Sequence, residues 1–285
     1  MQGIHTQIHP FPNGRVGALV WPREHGAWGM LLVPLVTGAW AGLRSGHGLF
    51  PVMLFSVTVL ALFCLRTPVE ALLQTSPIRP RTSAERQIVL NFISIYAGLA
   101  ALAAGLLIFR ERAYGLIPLG VIAMVLFLAQ ALLRKLGRET RIAAQLVGAL
   151  GLTSTALGAY YAATGRIDHL GVVLWAANGL LAANQIHFVQ VRIHSSRAAS
   201  FSEKLQHGRG FLIAQAVTIV LLAVAWRSGI LAWPVLLAFT PVLARGFLWF
   251  FQRSAPLNVH RLGFSELAHA LGFGVLLILS LHLHP

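Results

Sequence analysis

Cysteine and acidic residues are scarce in this chain of 285 residues. Cys64 is the one cysteine, and Asp168 is the one aspartate among eight acidic side chains. A single cysteine excludes an internal disulfide and a zinc site with several thiolate ligands. Charged residues make up 11% of the sequence, whereas ordinary soluble domains carry roughly 25%. So few charges cannot cover a chain that is 56% hydrophobic, which excludes a soluble globular domain.

Long apolar runs are what the sequence has instead. Nine runs of about 17–22 residues are present, and roughly 20 residues are needed to cross the hydrocarbon core of a bilayer. They cover approximately residues 26–43, 49–65, 88–109, 114–133, 142–163, 170–191, 210–226, 230–250 and 263–283. We therefore predict an all-α, multi-pass membrane protein with about nine transmembrane helices. It forms a single domain over residues 1–285, with a cytoplasmic N-terminal tail over residues 1–24.

The net charge of +14 alone is consistent with nucleic-acid binding, but the positions of the basic residues indicate a different role. With nine spans, 17 of the 22 lysines and arginines fall on the side of the N-terminus and five on the other side. The positive-inside rule then places the N-terminus in the cytoplasm and the C-terminus outside. We therefore predict a protein of the cell inner (cytoplasmic) membrane whose partner is the bilayer and not nucleic acid.

Polar side chains within the apolar runs are concentrated at the predicted cytoplasmic ends. Polar groups inside a bilayer are costly and are candidates for function. Asn184, His187 and His194 share one face of a helix, because they follow helical spacing. We predict a polar cavity that faces the cytoplasm and binds a lipid or another anionic amphiphile. Its candidate catalytic residues are His25, His187, His269, Glu24 and Glu266. Its candidate substrate-binding residues are Arg66, Arg79, Arg81, Asn91, Asn184, Arg192 and Arg245.

Three stretches resemble a known family. They are PREHGAWGMLLVP (residues 22–34), RTPVEALL (66–73) and HRLGFSELAHALGF (260–273). Together they resemble the YwiC-like family of bacterial membrane proteins. This resemblance implies a membrane protein and does not imply an activity.

A more distant resemblance concerns architecture. Nine spans, an inward N-terminus and the tract SPIRPRTSAERQIVLNF (residues 76–92) resemble the UbiA superfamily of intramembrane prenyltransferases. That resemblance implies a UbiA-like helical bundle in which aspartate-rich motifs hold Mg²⁺ and a prenyl diphosphate. Here RTPVEALLQ (66–74) and NQIHFVQVRIHSS (184–196) stand where those motifs would lie. Paired Mg²⁺ ions need several anionic oxygen ligands, and Asp168 is the one aspartate of the chain. We therefore predict no metal ligands. Arginines would bind the anionic headgroup directly.

Three functions that involve a ligand stay open at this point, besides a non-catalytic assembly or scaffold role. The first is a divergent or degenerate UbiA-like transferase, in which histidines act as acid–base groups and Glu24 or Glu266 orients them. The second is a transporter of a small anion or a lipid. The third is a haem-binding protein, in which two of His25, His187 and His269 ligate one iron. The sequence identifies neither a cofactor nor a protein partner.

The distribution of basic residues predicts the outcome of a topology experiment. A reporter fused to the C-terminus should report a location outside the cytoplasm, and one fused after Arg138 should report the cytoplasm. The reason is the excess of lysine and arginine on the N-terminal side. A cytoplasmic C-terminus would remove one predicted span and overturn the comparison with UbiA.

Overall fold

The computed structural model describes residues 13–22, 25–45, 48–76, 78–137, 139–195, 200–252 and 257–282, with the backbone alone for Asn13 and His25. Within these ranges the chain is helical and contains no strand, which confirms the all-α class. The helices are α1 (Asn13–Val20), α2 (His25–Arg44), α3 (Leu49–Leu72), α4 (Ser83–Gly105), α5 (Leu116–Lys135), α6 (Arg141–Thr153), α7 (Thr155–Thr164), α8 (His169–His194), α9 (Phe201–Arg227), α10 (Trp233–Phe251) and α11 (Val259–His282).

Nine segments of the described chain are long and apolar enough to cross a membrane, which confirms the predicted number. Helix α4 continues through a π-helical turn, Leu106–Arg110, as one segment. Helices α6 and α7 are also one segment, interrupted at Ser154. The side of the membrane on which each terminus lies stays a prediction.

Several helices extend beyond their apolar cores, and here the predicted boundaries are wrong. Helix α8 includes Arg192, and α9 begins nine residues before its predicted start, so that Lys204 and Arg209 are helical and not in a loop. A capping box explains the early start of α9. The Ser200 hydroxyl accepts a hydrogen bond from the Glu203 amide at 3.2 Å, and the Glu203 carboxylate accepts one from the Ser200 amide.

Lys204 is buried near the start of α9. Its ammonium group donates a hydrogen bond to the Gln252 carbonyl, directly after α10, and lies 5.6 Å from the centre of the Trp249 ring. A cation at the C-terminal end of a helix is favoured by the helix dipole. The contact therefore joins the beginning of α9 to the end of α10.

The chain divides into two compact units, and the first comprises residues 1–24 and 53–111. Within it, α1 packs against α4, and Leu19 is fully buried in a cluster with Ala71 and Val89. Arg15 forms an ion pair with Glu85 at 2.8 Å. The segment predicted as an N-terminal tail therefore contains a packed helix.

The second unit comprises residues 25–52 and 112–285. Its central element is α8, which packs against α2, α6, α7, α9, α10 and α11. Because protein surrounds α8, its polar side chains Asn178, Asn184 and Gln185 are buried away from lipid. Helices α2 and α7 approach closely where α2 carries glycine: a Cβ atom at Gly38 would overlap the Ala156 carbonyl.

The close approach at Gly38 predicts the effect of a methyl group. Gly38→Ala should lower the free energy of unfolding by about 1–3 kcal/mol, because the backbones of α2 and α7 must separate. Gly98→Ala is a matched control, since no described atom lies within 4 Å of a Cβ at Gly98 in α4. Thermal unfolding in a neutral detergent measures both. Equal melting temperatures for the two variants would contradict the close packing of α2 on α7.

Candidate functional site

A buried ion pair joins α10 to α11. Arg245 Nη1 donates a hydrogen bond to Glu266 Oε2, and the two side chains are 11% and 6% exposed. Both residues lie within segments that are apolar enough to span a membrane. An isolated charge at that depth is unfavourable, and pairing with an opposite charge compensates part of the cost. The two helices are thus connected by opposite charges at a place where either charge alone would be unfavourable.

Neutral side chains from α8 and α9 extend this pair into a network. Arg245 Nη2 donates to the Asn184 side-chain oxygen at 3.2 Å, and the Asn184 amide donates to the Gln215 side-chain oxygen at 2.7 Å. Gln185 donates to the backbone carbonyl of Glu266 at 2.7 Å. The network therefore connects four helices, α8, α9, α10 and α11. We call the side chains of Asn184, Gln215, Arg245 and Glu266 the buried polar cluster.

Packing fixes the position of the guanidinium group. Its central carbon lies 4.1 Å from the centre of the buried Phe188 ring on α8, a cation–π arrangement. Gly246, the next residue of α10, leaves room for Gln215, because a Cβ at this position would overlap the Gln215 amide nitrogen. Close approach of α9 and α10 therefore depends on this glycine.

Three polar atoms of the buried polar cluster have no hydrogen-bond partner among the described residues: Arg245 Nε, Glu266 Oε1 and Gln215 Nε2. Nearly all buried polar atoms in proteins have a partner. The cluster can thus form additional hydrogen bonds, two as a donor and one as an acceptor. An anionic oxygen suits the two donors, Arg245 Nε and Gln215 Nε2.

Other predicted site residues lie around the cluster. Arg192 on α8 and His269 on α11 are close enough to Glu266 to interact with it electrostatically. His269 Nδ1 lies 2.7 Å from the Ser265 carbonyl oxygen within α11. His187 is partly buried on α8. Of the predicted residues, the structure thus brings Asn184, Arg245 and Glu266 into direct contact and places Arg192 and His269 nearby.

The remaining predicted residues are not part of this cluster. Arg66 pairs with Glu70, one turn further along α3, at 2.8 Å. Arg79 and Arg81 are exposed, and so is Asn91, whose side chain accepts a hydrogen bond from Gln87 at 3.0 Å. All four belong to the first compact unit, whereas the cluster belongs to the second. Glu24 and the side chain of His25 lie outside the described residues, as does the predicted inward orientation of His25.

Three side chains of this site were not among the predicted residues: Gln215, Gln185 and Phe188. Gln215 was detectable, because it is an isolated amide in the apolar run FLIAQAVTIV (residues 211–220) and polar residues in such runs are functional candidates. Phe188 gave no comparable signal, because aromatic side chains are common in membrane helices. In the described part of the chain, no three His, Cys, Asp or Glu side chains form a group that could hold a metal ion.

The ion pair predicts non-additive effects on stability. Arg245→Gln alone should lower the free energy of unfolding by about 3–5 kcal/mol, because it leaves Glu266 as an uncompensated buried charge. The double variant Arg245→Gln with Glu266→Gln should recover most of this loss, since two neutral amides replace two charges. Thermal unfolding in neutral detergent measures all three proteins. A double variant no more stable than the single variant would show that the charges are not coupled.

Comparison with known proteins covers the first part of the chain. A family model described as YwiC-like protein matches residues 21–160. This range contains PREHGAWGMLLVP and RTPVEALL, and the match confirms the resemblance predicted from them. The buried polar cluster, including Glu266 in HRLGFSELAHALGF, lies beyond the matched range. No curated protein and no solved structure matches the chain. Over residues 21–160, this chain is therefore similar to the YwiC-like family.

Proposed function

We propose that this membrane protein binds the anionic headgroup of an amphiphile at the buried polar cluster. One observation carries the proposal: a guanidinium group lies buried among four membrane-spanning helices, and its Nε atom has no partner among the described residues. Ionisable residues inside membrane segments are rare and usually functional.

The donors of the cluster favour an anion as ligand. Guanidinium groups bind phosphate and carboxylate oxygens through parallel hydrogen bonds. Gln215 Nε2 offers a neutral donor beside Arg245. Arg192, partly exposed on α8, adds a second positive charge near the cluster. A ligand with a phosphate ester headgroup matches this set of donors.

The surroundings of the cluster favour an amphiphile over a small anion. Large apolar side chains are exposed next to both members of the ion pair: Phe247 and Leu248 follow Arg245, and Phe264 precedes Glu266. In segments of spanning length, such side chains suit contact with hydrocarbon. An apolar tail can therefore pack beside α10 and α11 while the headgroup binds Arg245.

The proposal includes the UbiA-like architecture and the bacterial inner membrane as the expected setting. If a group-transfer reaction takes place, His269 is the candidate acid–base residue, because it lies within electrostatic range of Glu266. Direct recognition by arginine replaces recognition through Mg²⁺. Transport of the amphiphile, rather than its chemical conversion, is the second candidate, and the buried ion pair within spanning helices favours it.

Binding of short-chain phospholipids tests the proposal. Dihexanoyl phosphatidylglycerol should bind the purified protein in neutral detergent at least about tenfold more tightly than dihexanoyl phosphatidylcholine, because charge-assisted hydrogen bonds contribute about 1.5–3 kcal/mol. The tails are identical, so the difference reports the headgroup. Calorimetric titration measures both affinities, and EDTA should not change them.

Variants and soluble anions complete this experiment. The double variant Arg245→Gln with Glu266→Gln should lose the preference for the anionic lipid. Its matched control replaces another Arg–Glu ion pair, Arg110 and Glu111 at 3.7 Å, by glutamines and should keep the preference. Glycerol 3-phosphate without tails should bind weakly. Equal affinity for both lipids in the wild-type protein would refute the proposal, and tight binding of glycerol 3-phosphate alone would favour a small-anion transporter.

A further inference from the structure

We propose that binding of the anion to Arg245 is coupled to the uptake of one proton by Glu266, and that release of the anion returns this proton to solution. The inference rests on the proposed function, since it names how the same site exchanges its ligand. It assigns Glu266 the role of a proton carrier as well as that of a structural counter-ion.

The geometry creates a competition for the guanidinium group. Glu266 Oε2 already accepts a hydrogen bond from Arg245 Nη1, so an incoming anion meets an arginine that has a carboxylate partner. The second carboxylate oxygen, Oε1, is buried and has no hydrogen-bond partner among the described residues. A proton can therefore bind at Oε1 without first breaking another hydrogen bond seen in this part of the chain.

The need to compensate charge in the buried site explains why a proton accompanies the anion. Within the buried pair without ligand, the positive charge of Arg245 and the negative charge of Glu266 sum to zero. The nearby charge of Arg192 is not counted, because this side chain is only partly buried and solvent screens it. A monoanion would leave one uncompensated negative charge among apolar helices, which is unfavourable. If Glu266 takes a proton from solution, an O–H bond forms at Oε1, the ion pair breaks, and Arg245 pairs with the ligand. The sum is again zero, and no bond of the ligand is formed or broken.

Other charged and titratable groups lie on the helices that pack around Glu266. Helix α10 contributes Arg245 alone. Helix α8 contributes Arg192, which is only partly buried so that solvent screens its charge, and also carries His169, His187 and His194. On α11 itself, His269 is one turn away, and the helix also carries His260, Arg261 and His282.

Helix α2 also packs against α11. Arg44 is the one charged side chain among those of α2 that the structure describes. Its guanidinium group donates to the Leu281 carbonyl, about 22 Å along α11 from Glu266 at 1.5 Å per residue. Arg44 is therefore too distant to compensate a charge at the cluster.

Proton counting in the wild-type protein tests the inference. Dihexanoyl phosphatidylglycerol is the probe, because a phosphodiester keeps one negative charge throughout the range used. Calorimetric titration at pH 8, in two buffers of different ionisation enthalpy, should show about one proton taken up per lipid bound. The dissociation constant should rise about tenfold per pH unit between pH 7.5 and 9, since linkage of one proton gives this slope.

In the variant Glu266→Gln the side chain is neutral at every pH, like that of protonated Glu266. It should bind the lipid without proton uptake, with an affinity independent of pH in this range and at least about tenfold tighter than wild type at pH 9. Glu111→Gln, which removes a carboxylate from another ion pair, should behave like wild type. A melting curve without lipid checks that each variant is folded. If Glu266→Gln does not fold, the proton count of the wild-type protein decides.

The outcomes separate this inference from the proposed function. Selective binding of phosphatidylglycerol by the wild-type protein, without proton uptake and without dependence on pH, would overturn the inference and leave the proposed function standing. Proton uptake that persists in Glu266→Gln would also overturn it, because another group would then carry the proton. Absence of selective binding in the wild-type protein would overturn the proposed function itself.

Discussion

Compensation of the Arg245 charge is the constraint on which the second compact unit depends. A guanidinium group within a spanning helix needs a counter-ion and acceptors, and Glu266 and Asn184 provide them from two other helices. Because Asn184 is also bonded to Gln215, the requirement extends to α9. The relative positions of four helices thus follow from one charge that cannot be left unpaired in an apolar environment. Apolar packing surrounds this arrangement, and it also fixes the ring of Phe188 against the guanidinium group.

The spanning segments were predictable because apolar length is a local property of the sequence. The predicted count of nine spans is confirmed. The predicted C-terminal end of α8 and the predicted start of α9 are wrong. Helices continue past the bilayer core where caps and charged residues stabilise them, as the capping box does at the start of α9. The short helix α1 was not predicted. Its eight residues are too few for an apolar span, and its buried Leu19 acquires a role only through packing on α4.

The candidate site was predictable in part, for a similar reason. Asn184, Arg245 and Glu266 are recognisable in the sequence because polar groups in apolar segments need partners. Which partner each one finds is a tertiary property. Arg66 was predicted as a site residue on the same grounds, but its carboxylate partner lies on its own helix, one turn away. The contact between Gln215 and Gly246 exists only in the folded protein, where α9 and α10 lie side by side.

The contact of Lys204 has a mechanical consequence for the cluster. Helices α9 and α10 are joined at one end by a connection of five residues, 228–232, and at the other end by the bond from Lys204 to the Gln252 carbonyl. Because α9 and α10 are connected at both ends, their separation requires breaking the bond of Lys204. If the helices move when Arg245 separates from Glu266, a displacement of α11 is therefore easier than an opening between α9 and α10.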